Sequence, residues 1–134
     1  MGIVVTFIML LGLCAYCSVP WLHAGIVSAR PVSTHVISAL LLLAGLWNSL
    51  WFGLRHLEQF WGIAALVSGI VMVMMSVLIA GDAVNKTARY YSYIQLVYRY
   101  IKPIAAVVNV VLLCSFILYA VTLVQLNLGM EIIR

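Results

Sequence analysis

The chain contains very little charge. Only 7% of its 134 residues are charged, seven basic and three acidic, whereas hydrophobic residues make up 66%. A typical soluble domain is about a quarter charged, because water must solvate its surface. Ten charged residues cannot cover a core of this size. A soluble globular fold is therefore excluded, and most of the surface must face lipid.

The charged residues leave four long stretches of the sequence uninterrupted. The charged residues are Arg30, Arg55, Glu58, Asp82, Lys86, Arg89, Arg99, Lys102, Glu131 and Arg134. About 20 apolar residues in a helix cross the roughly 30 Å of bilayer hydrocarbon, and a helix pairs every backbone polar group internally. We therefore predict an all-α, polytopic membrane protein that forms one domain. Its four transmembrane helices are expected near residues 3–22, 36–54, 60–80 and 104–128.

Basic residues are distributed unevenly between the two sides of this arrangement. The side that holds both termini carries Arg55 and Arg134, whereas the other side carries Arg30, Lys86, Arg89, Arg99 and Lys102. Basic residues near span ends favour the cytoplasm. We therefore predict that both termini are outside and that loops 23–35 and 81–103 are cytoplasmic, in a bacterial inner membrane.

The segment between the third and fourth spans has an amphipathic pattern. At 100° per residue, one arc of about 120° collects Tyr90, Tyr91, Ile94, Val97, Tyr98 and Ile101. This pattern predicts an interfacial helix near 85–102, with tyrosine rings at headgroup depth. Its basic residues are expected to contact anionic lipid headgroups, at Lys86, Arg89, Arg99 and Lys102. The alternative is a solvated connector that happens to be aromatic. Pro103 then either opens the last span or kinks it.

Small residues recur at intervals of four in the second and third spans. The second span has Gly45, Ser49 and Gly53, and the third has Ala65 and Gly69. Small residues at this spacing let two helix backbones approach closely in a membrane. We expect these five residues to pack the two helices together, although the same ridge could dock a foreign helix.

Polar and aromatic side chains in the second and third spans indicate which parts of these spans meet protein and which meet the membrane interface. Asn48 lies in the middle of the span, and an amide should face protein rather than hydrocarbon. Trp51 and Trp61 lie near span ends, where tryptophan rings collect at the membrane interface. Trp47 is too deep for that belt, so we expect it to pack across the groove between Gly45 and Ser49.

The predicted spans also lack ionisable residues and catalytic motifs. No Asp, Glu, Lys or Arg lies within the core of any span, whereas proton- and ion-coupled carriers need such groups at membrane depth. No nucleotide-binding loop, zinc-protease motif or nucleophile elbow occurs, so no catalytic residue, metal site or nucleic-acid interface is assigned. We therefore expect a non-catalytic accessory or scaffold subunit of a larger membrane complex, which associates with other subunits or with itself. No cofactor is predicted for it.

A redox-linked subunit is the competing hypothesis. His23 and His35 lie at the same predicted side of the membrane, where they could ligate a haem or border a quinone. Cys14 and Cys17 lie near the same end and could add two thiolates for zinc or copper. A thiolate in apolar surroundings has a raised pKa and reacts poorly, so the metal site is the weaker alternative.

Overall fold

A computed structural model of the protein describes residues 2–16, 31–83 and 91–128. Apart from a turn at 57–59, all of these residues are helical, and no strand occurs within these ranges. The predicted all-α class is therefore confirmed. The helices are α1 (Gly2–Tyr16), α2 (Pro31–Leu46), α3 (Phe60–Ala83), α4 (Tyr91–Ile101) and α5 (Ala105–Leu128). α2 continues as a π-helical segment, Trp47–Gly53, and a 3-10 turn, Leu54–His56, and a second 3-10 turn, Lys102–Ile104, joins α4 to α5.

Three helical stretches are long and apolar enough to cross a membrane. They are Thr34–His56, Phe60–Asp82 and Ser92–Gln125. The described part of α1 is also apolar but has 15 residues, which at 1.5 Å per residue is roughly 22 Å. These lengths and compositions fit an integral membrane protein.

α3 forms the centre of the bundle and contacts α1, α2, α4 and α5. Its side chains Met72 and Met75 are completely buried, together with Met9 of α1, Leu41 of α2 and Leu112 of α5. A flexible thioether fills irregular gaps between helices. The two methionines therefore act as core residues at the junction of the surrounding helices.

A tight turn joins α2 to α3. The backbone N–H of Gln59 donates to the His56 carbonyl at 2.9 Å, and the N–H of Gly62 donates to the Gln59 carbonyl at 3.0 Å. A Cβ atom at Gly62 would overlap the carbonyl group of His56. Only glycine therefore fits this close approach, which makes α2 and α3 an antiparallel hairpin.

The amphipathic helix α4 packs against the end of α3. Gln95 Nε2 donates to the Gly81 carbonyl at 2.9 Å, and the Tyr98 hydroxyl donates to Asp82 Oδ1 at 2.5 Å. A Cβ atom at Gly81 would overlap the Tyr98 ring. Tyr98 is buried, and Ile94 and Ile101 are half-buried. The protein itself therefore covers part of the apolar face that the sequence pattern assigned to lipid.

α4 and α5 follow one another with only the 3-10 turn between them. Pro103 lies in that turn, where its missing N–H and fixed φ are tolerated. The stretch Ser92–Gln125 has 34 residues and would be about 51 Å long if straight. Because this exceeds the roughly 30 Å of hydrocarbon, α4 must reach beyond the apolar layer or the helix must tilt.

Candidate functional site

The backbones of α2 and α3 touch at a pair of glycines. A Cβ atom on Gly45 would lie 2.7 Å from the Gly69 carbonyl oxygen, and one on Gly69 would lie 2.6 Å from the Gly45 carbonyl oxygen. The same atom on Gly69 would also lie 2.8 Å from the backbone nitrogen of Ser49. Neither glycine therefore has room for a side chain.

The remaining small residues lie in the same interface. A Cβ atom on Gly53 would lie 3.0 Å from the Cα atom of Leu66. Ala65 is completely buried, and its carbonyl oxygen accepts a hydrogen bond from Asn48. The structure thus places all five small residues named from the sequence between α2 and α3.

Buried hydrogen bonds join the helices beside this contact. Asn48 Nδ2 shares its two hydrogens among three acceptors, Ser68 Oγ at 2.9 Å, the Ala65 carbonyl at 3.2 Å and the Tyr119 hydroxyl at 3.3 Å. Asn48 therefore faces protein and links α2, α3 and α5. A second link, between Ser38 and Ser76, was not anticipated from the sequence: Ser76 Oγ donates to the Ser38 carbonyl at 2.8 Å. Both serines lie in apolar spans, where a hydroxyl needs a partner.

The π-helical segment arranges a ladder of aromatic and basic groups. Its wider turn is closed by the N–H of Leu54, which donates to the Ser49 carbonyl five residues earlier. The rings of Trp47 and Trp51 stack with centroids 5.3 Å apart and planes at 20°. The guanidinium carbon of Arg55 lies 3.6 Å from the centroid of the Trp51 ring. We call Trp47, Trp51 and Arg55 the aromatic ladder.

Trp47 does not occupy the position expected from the sequence. It is 49% exposed and stacks on Trp51. The groove between Gly45 and Ser49 is filled instead by the backbone of α3 at Gly69. The expectation that Trp47 packs across that groove was therefore wrong, because the two backbones approach too closely to admit an indole.

A pocket of about 380 Å³ lies beside the aromatic ladder. Its walls come from α1, the π-helical segment, the first turn of α3 and the last turns of α5. They consist of Gly2, Val5, Trp47, Asn48, Trp51, Phe52, Trp61, Tyr119, Thr122 and Leu123. We call this cavity the aromatic pocket. Sequence reasoning missed it, because the residues that form it are spread over four helices.

The chemistry of the aromatic pocket suits the binding of a small molecule. Five of its side chains are aromatic, and Trp61 meets Tyr119 edge to face with centroids 6.5 Å apart. Thr122 Oγ1 is engaged with the Leu118 carbonyl of its own helix at 2.8 Å. The Tyr119 hydroxyl accepts an N–H from Asn48, so its own proton can be donated to a ligand. Apolar walls with few polar groups are typical of small-molecule sites.

Of the two residues proposed for haem or quinone, the described one, His35, lies away from this pocket. His35 is exposed near the beginning of α2, whereas the pocket lies at the opposite end of that helix. His23 falls outside the described residues, as does Cys17, while Cys14 is half-buried in α1. Within the described ranges, no group of three or more His, Cys, Asp or Glu side chains could hold a metal ion.

Two of the four proposed lipid-contacting residues lie among the described residues. Arg99 and Lys102 are exposed at the α4 end of the bundle. Lys102 Nζ lies 4.9 Å from the centroid of the Tyr98 ring. Lys86 and Arg89 lie outside the described residues. The described pair therefore lies at the opposite end of the bundle from the aromatic pocket, since α3 runs from one end to the other.

Comparisons with known proteins do not assign the chain to a family. No family model matches the chain, and neither the curated proteins nor the solved structures contain a significant match.

Proposed function

We propose that the protein is a non-catalytic accessory subunit of a larger integral membrane complex. The observation that supports this function is a regular apolar stripe on the outer face of α5. The stripe consists of Val107, Val110, Cys114, Ile117, Val121 and Val124, and we call it the α5 seam. Four of these side chains are 50–62% exposed, Cys114 is exposed and Val121 is half-buried.

The spacing of the α5 seam matches that of a helix–helix interface. Its residues follow one another at alternating intervals of three and four, which is the a/d pattern of a left-handed coiled coil. Helices in membranes cross mostly with the same geometry. Apolar exposure alone would not distinguish a partner from lipid, because lipid tails are equally apolar. Five of the six positions are β-branched, and such stiff side chains lose little freedom when they pack.

The chain itself covers α5 less than its other long helices. In the 18-residue apolar window of the stretch Ser92–Gln125, 17% of the residues are buried, against 50% in the window of Phe60–Asp82. α3 is therefore the internal helix of this domain, and α5 presents its surface outward. A helix of another subunit is the occupant that we propose for the seam.

The proposed arrangement in the membrane follows the charge distribution. We propose that α1 is the first of four transmembrane helices in a bacterial inner membrane, with both termini outside. The loops 23–35 and 81–103 then lie in the cytoplasm, where Arg99 and Lys102 contact anionic headgroups. The exposure of both side chains supports this placement.

Site-specific photo-cross-linking in cells tests the proposed function. A photoreactive residue is introduced at Val110, Ile117 or Val124 of the seam, and at Leu43 of α2 as the control, because Leu43 is 65% exposed but lies outside the seam. We expect the three seam positions to give one common cross-linked protein, and the Leu43 position to give none. Equal labelling at Leu43, or no product at any seam position, would contradict the proposal. A cross-linked product that contains only this chain would show that the partner at the α5 seam is a second copy of the protein.

A further inference from the structure

The walls of the aromatic pocket are open to the surroundings. Trp47, Trp51, Phe52 and Trp61 are 36–49% exposed although they line it. In a bilayer, an opening on the side of the helical bundle faces lipid rather than bulk water. An apolar opening of about 380 Å³ in this position therefore favours an apolar or amphipathic occupant taken up sideways from the membrane.

The pocket lies near one end of the helical bundle. Gly2 begins α1, Trp61 lies in the first turn of α3, and Leu123 lies close to the end of α5. The π-helical segment that forms another wall comes just before the turn at 57–59. Tryptophan rings collect at the membrane–water interface. This end of the bundle therefore corresponds to the depth at which lipid headgroups meet acyl chains.

A second, more apolar groove leads away from the pocket. It lies between α1 and α2, has a volume of about 350 Å³ and shares Val5 and Trp47 with the pocket. Its further walls include Ile8 and Leu40, which lie deeper along their helices. Because the two cavities share these residues, we treat them as one path, with the polar groups of Asn48 and Tyr119 at one end and the hydrocarbon side chains of Ile8 and Leu40 at the other.

A basic group lies next to the polar end of this path. Arg55 is exposed, and its guanidinium is held 3.6 Å over the ring of Trp51, which lines the pocket. A guanidinium that stacks through its face keeps N–H groups for hydrogen bonds, and these match a phosphate in a bidentate manner. The pocket and groove therefore combine a cation at Arg55, a hydrogen-bond donor at Tyr119 and an apolar wall at Leu40.

We infer that the pocket and groove bind one anionic phospholipid. The lipid phosphate contacts Arg55, and an ester carbonyl accepts a hydrogen bond from the Tyr119 hydroxyl. An acyl chain passes Val5 and Trp47 into the groove lined by Leu40. This site lies at the opposite end of the bundle from Arg99 and Lys102, so it is distinct from general attraction of those residues to a charged leaflet. Stacking on Trp51 holds the Arg55 guanidinium in place, and the apolar walls of the groove contact the acyl chain.

Native mass spectrometry of the purified, delipidated full-length protein tests this inference. The probes are phosphatidylglycerol and phosphatidylcholine with identical oleoyl chains. We expect one tightly bound phosphatidylglycerol per chain and weaker binding of phosphatidylcholine. Arg55→Gln should weaken phosphatidylglycerol binding roughly tenfold, which corresponds to the loss of a charge-assisted hydrogen bond, and should remove the preference over phosphatidylcholine. Arg134→Gln is the matched control, because it removes an arginine charge from the side of the membrane on which Arg55 is also proposed to lie.

A second pair of variants tests the acyl-chain path. Leu40 lines the groove and is 39% exposed, whereas Leu42 is 38% exposed on the same helix and does not line it. Leu40→Trp should block the groove and reduce binding of both lipids at least tenfold, while Leu42→Trp should bind like the unmodified protein. Circular dichroism verifies that both variants fold. Equal losses in Arg55→Gln and Arg134→Gln, or full binding by Leu40→Trp, would overturn the inference.

Discussion

Replacing Gly69 by alanine measures how closely α2 and α3 approach each other. The new methyl group would lie 2.6 Å from the Gly45 carbonyl oxygen and 2.8 Å from the Ser49 nitrogen. An ordinary contact needs about 3.4 Å, so the helices would have to separate by about 0.8 Å. Both obstructing atoms belong to the backbone and cannot rotate away. The strain must therefore be distributed along the whole interface.

The expected change in stability combines two opposing effects. Overpacking of a closely packed contact costs about 1–3 kcal/mol, and alanine returns up to about 1 kcal/mol because it favours a helix more than glycine does. We expect Gly69→Ala to lower the free energy of unfolding by about 1–2 kcal/mol. Unfolding with a denaturing detergent in mixed micelles, followed by circular dichroism, measures this difference.

Two other glycines supply graded controls for this substitution. A methyl group on Gly12 would lie 2.9 Å from the two terminal methyl groups of Leu41, which can shift by rotation. A methyl group on Gly2 would lie 3.6 Å from the Leu123 Cδ2 atom, an ordinary contact. Stability should therefore decrease from Gly2→Ala through Gly12→Ala to Gly69→Ala. If Gly69→Ala were as stable as Gly2→Ala, the two backbones would not be in contact.

Two further predictions concern topology and α4. In intact cells and a cysteine-free background, a cysteine at Gln59 should react with a membrane-impermeant thiol reagent and one at Lys86 should be protected, because we propose that the basic loop is cytoplasmic; the reverse pattern would invert the orientation. Tyr98→Phe removes the hydrogen bond to Asp82, worth about 1 kcal/mol, so backbone hydrogen exchange in 92–101 should accelerate while α3 is unchanged. Unchanged exchange in that segment would mean that ring packing against Gly81 alone holds α4.

The helical class and the small-residue contacts could be anticipated because each depends on a local pattern. A long apolar stretch must become a helix in lipid, since only a helix pairs its own backbone there. The four-residue spacing of Gly45, Ser49 and Gly53 likewise marks one face of a helix. Gly62 was missed because its role depends on the carbonyl of His56 across the turn, and no periodicity signals such a contact.

The contacts of α4 could not be predicted from the sequence for a different reason. Its amphipathic pattern was visible in the positions of Ile94, Tyr98 and Ile101, but a pattern shows only that a face is apolar. In the structure, Gly81 and Asp82 at the end of α3 contact Tyr98, so protein takes the place of lipid on part of that face. Which of the two covers an apolar surface depends on the geometry of neighbouring elements.

The amino-acid sequence alone was sufficient to predict that this protein is helical, that its long apolar segments suit a membrane and that small residues pack α2 against α3. Those conclusions depend on composition and spacing, which are properties of contiguous residues. The three-dimensional structure was needed to show that Tyr119 meets Asn48 and that the aromatic pocket opens beside Trp51. Such contacts join residues 71 positions apart in the chain, and their positions follow from how helices cross rather than from any repeat along one of them.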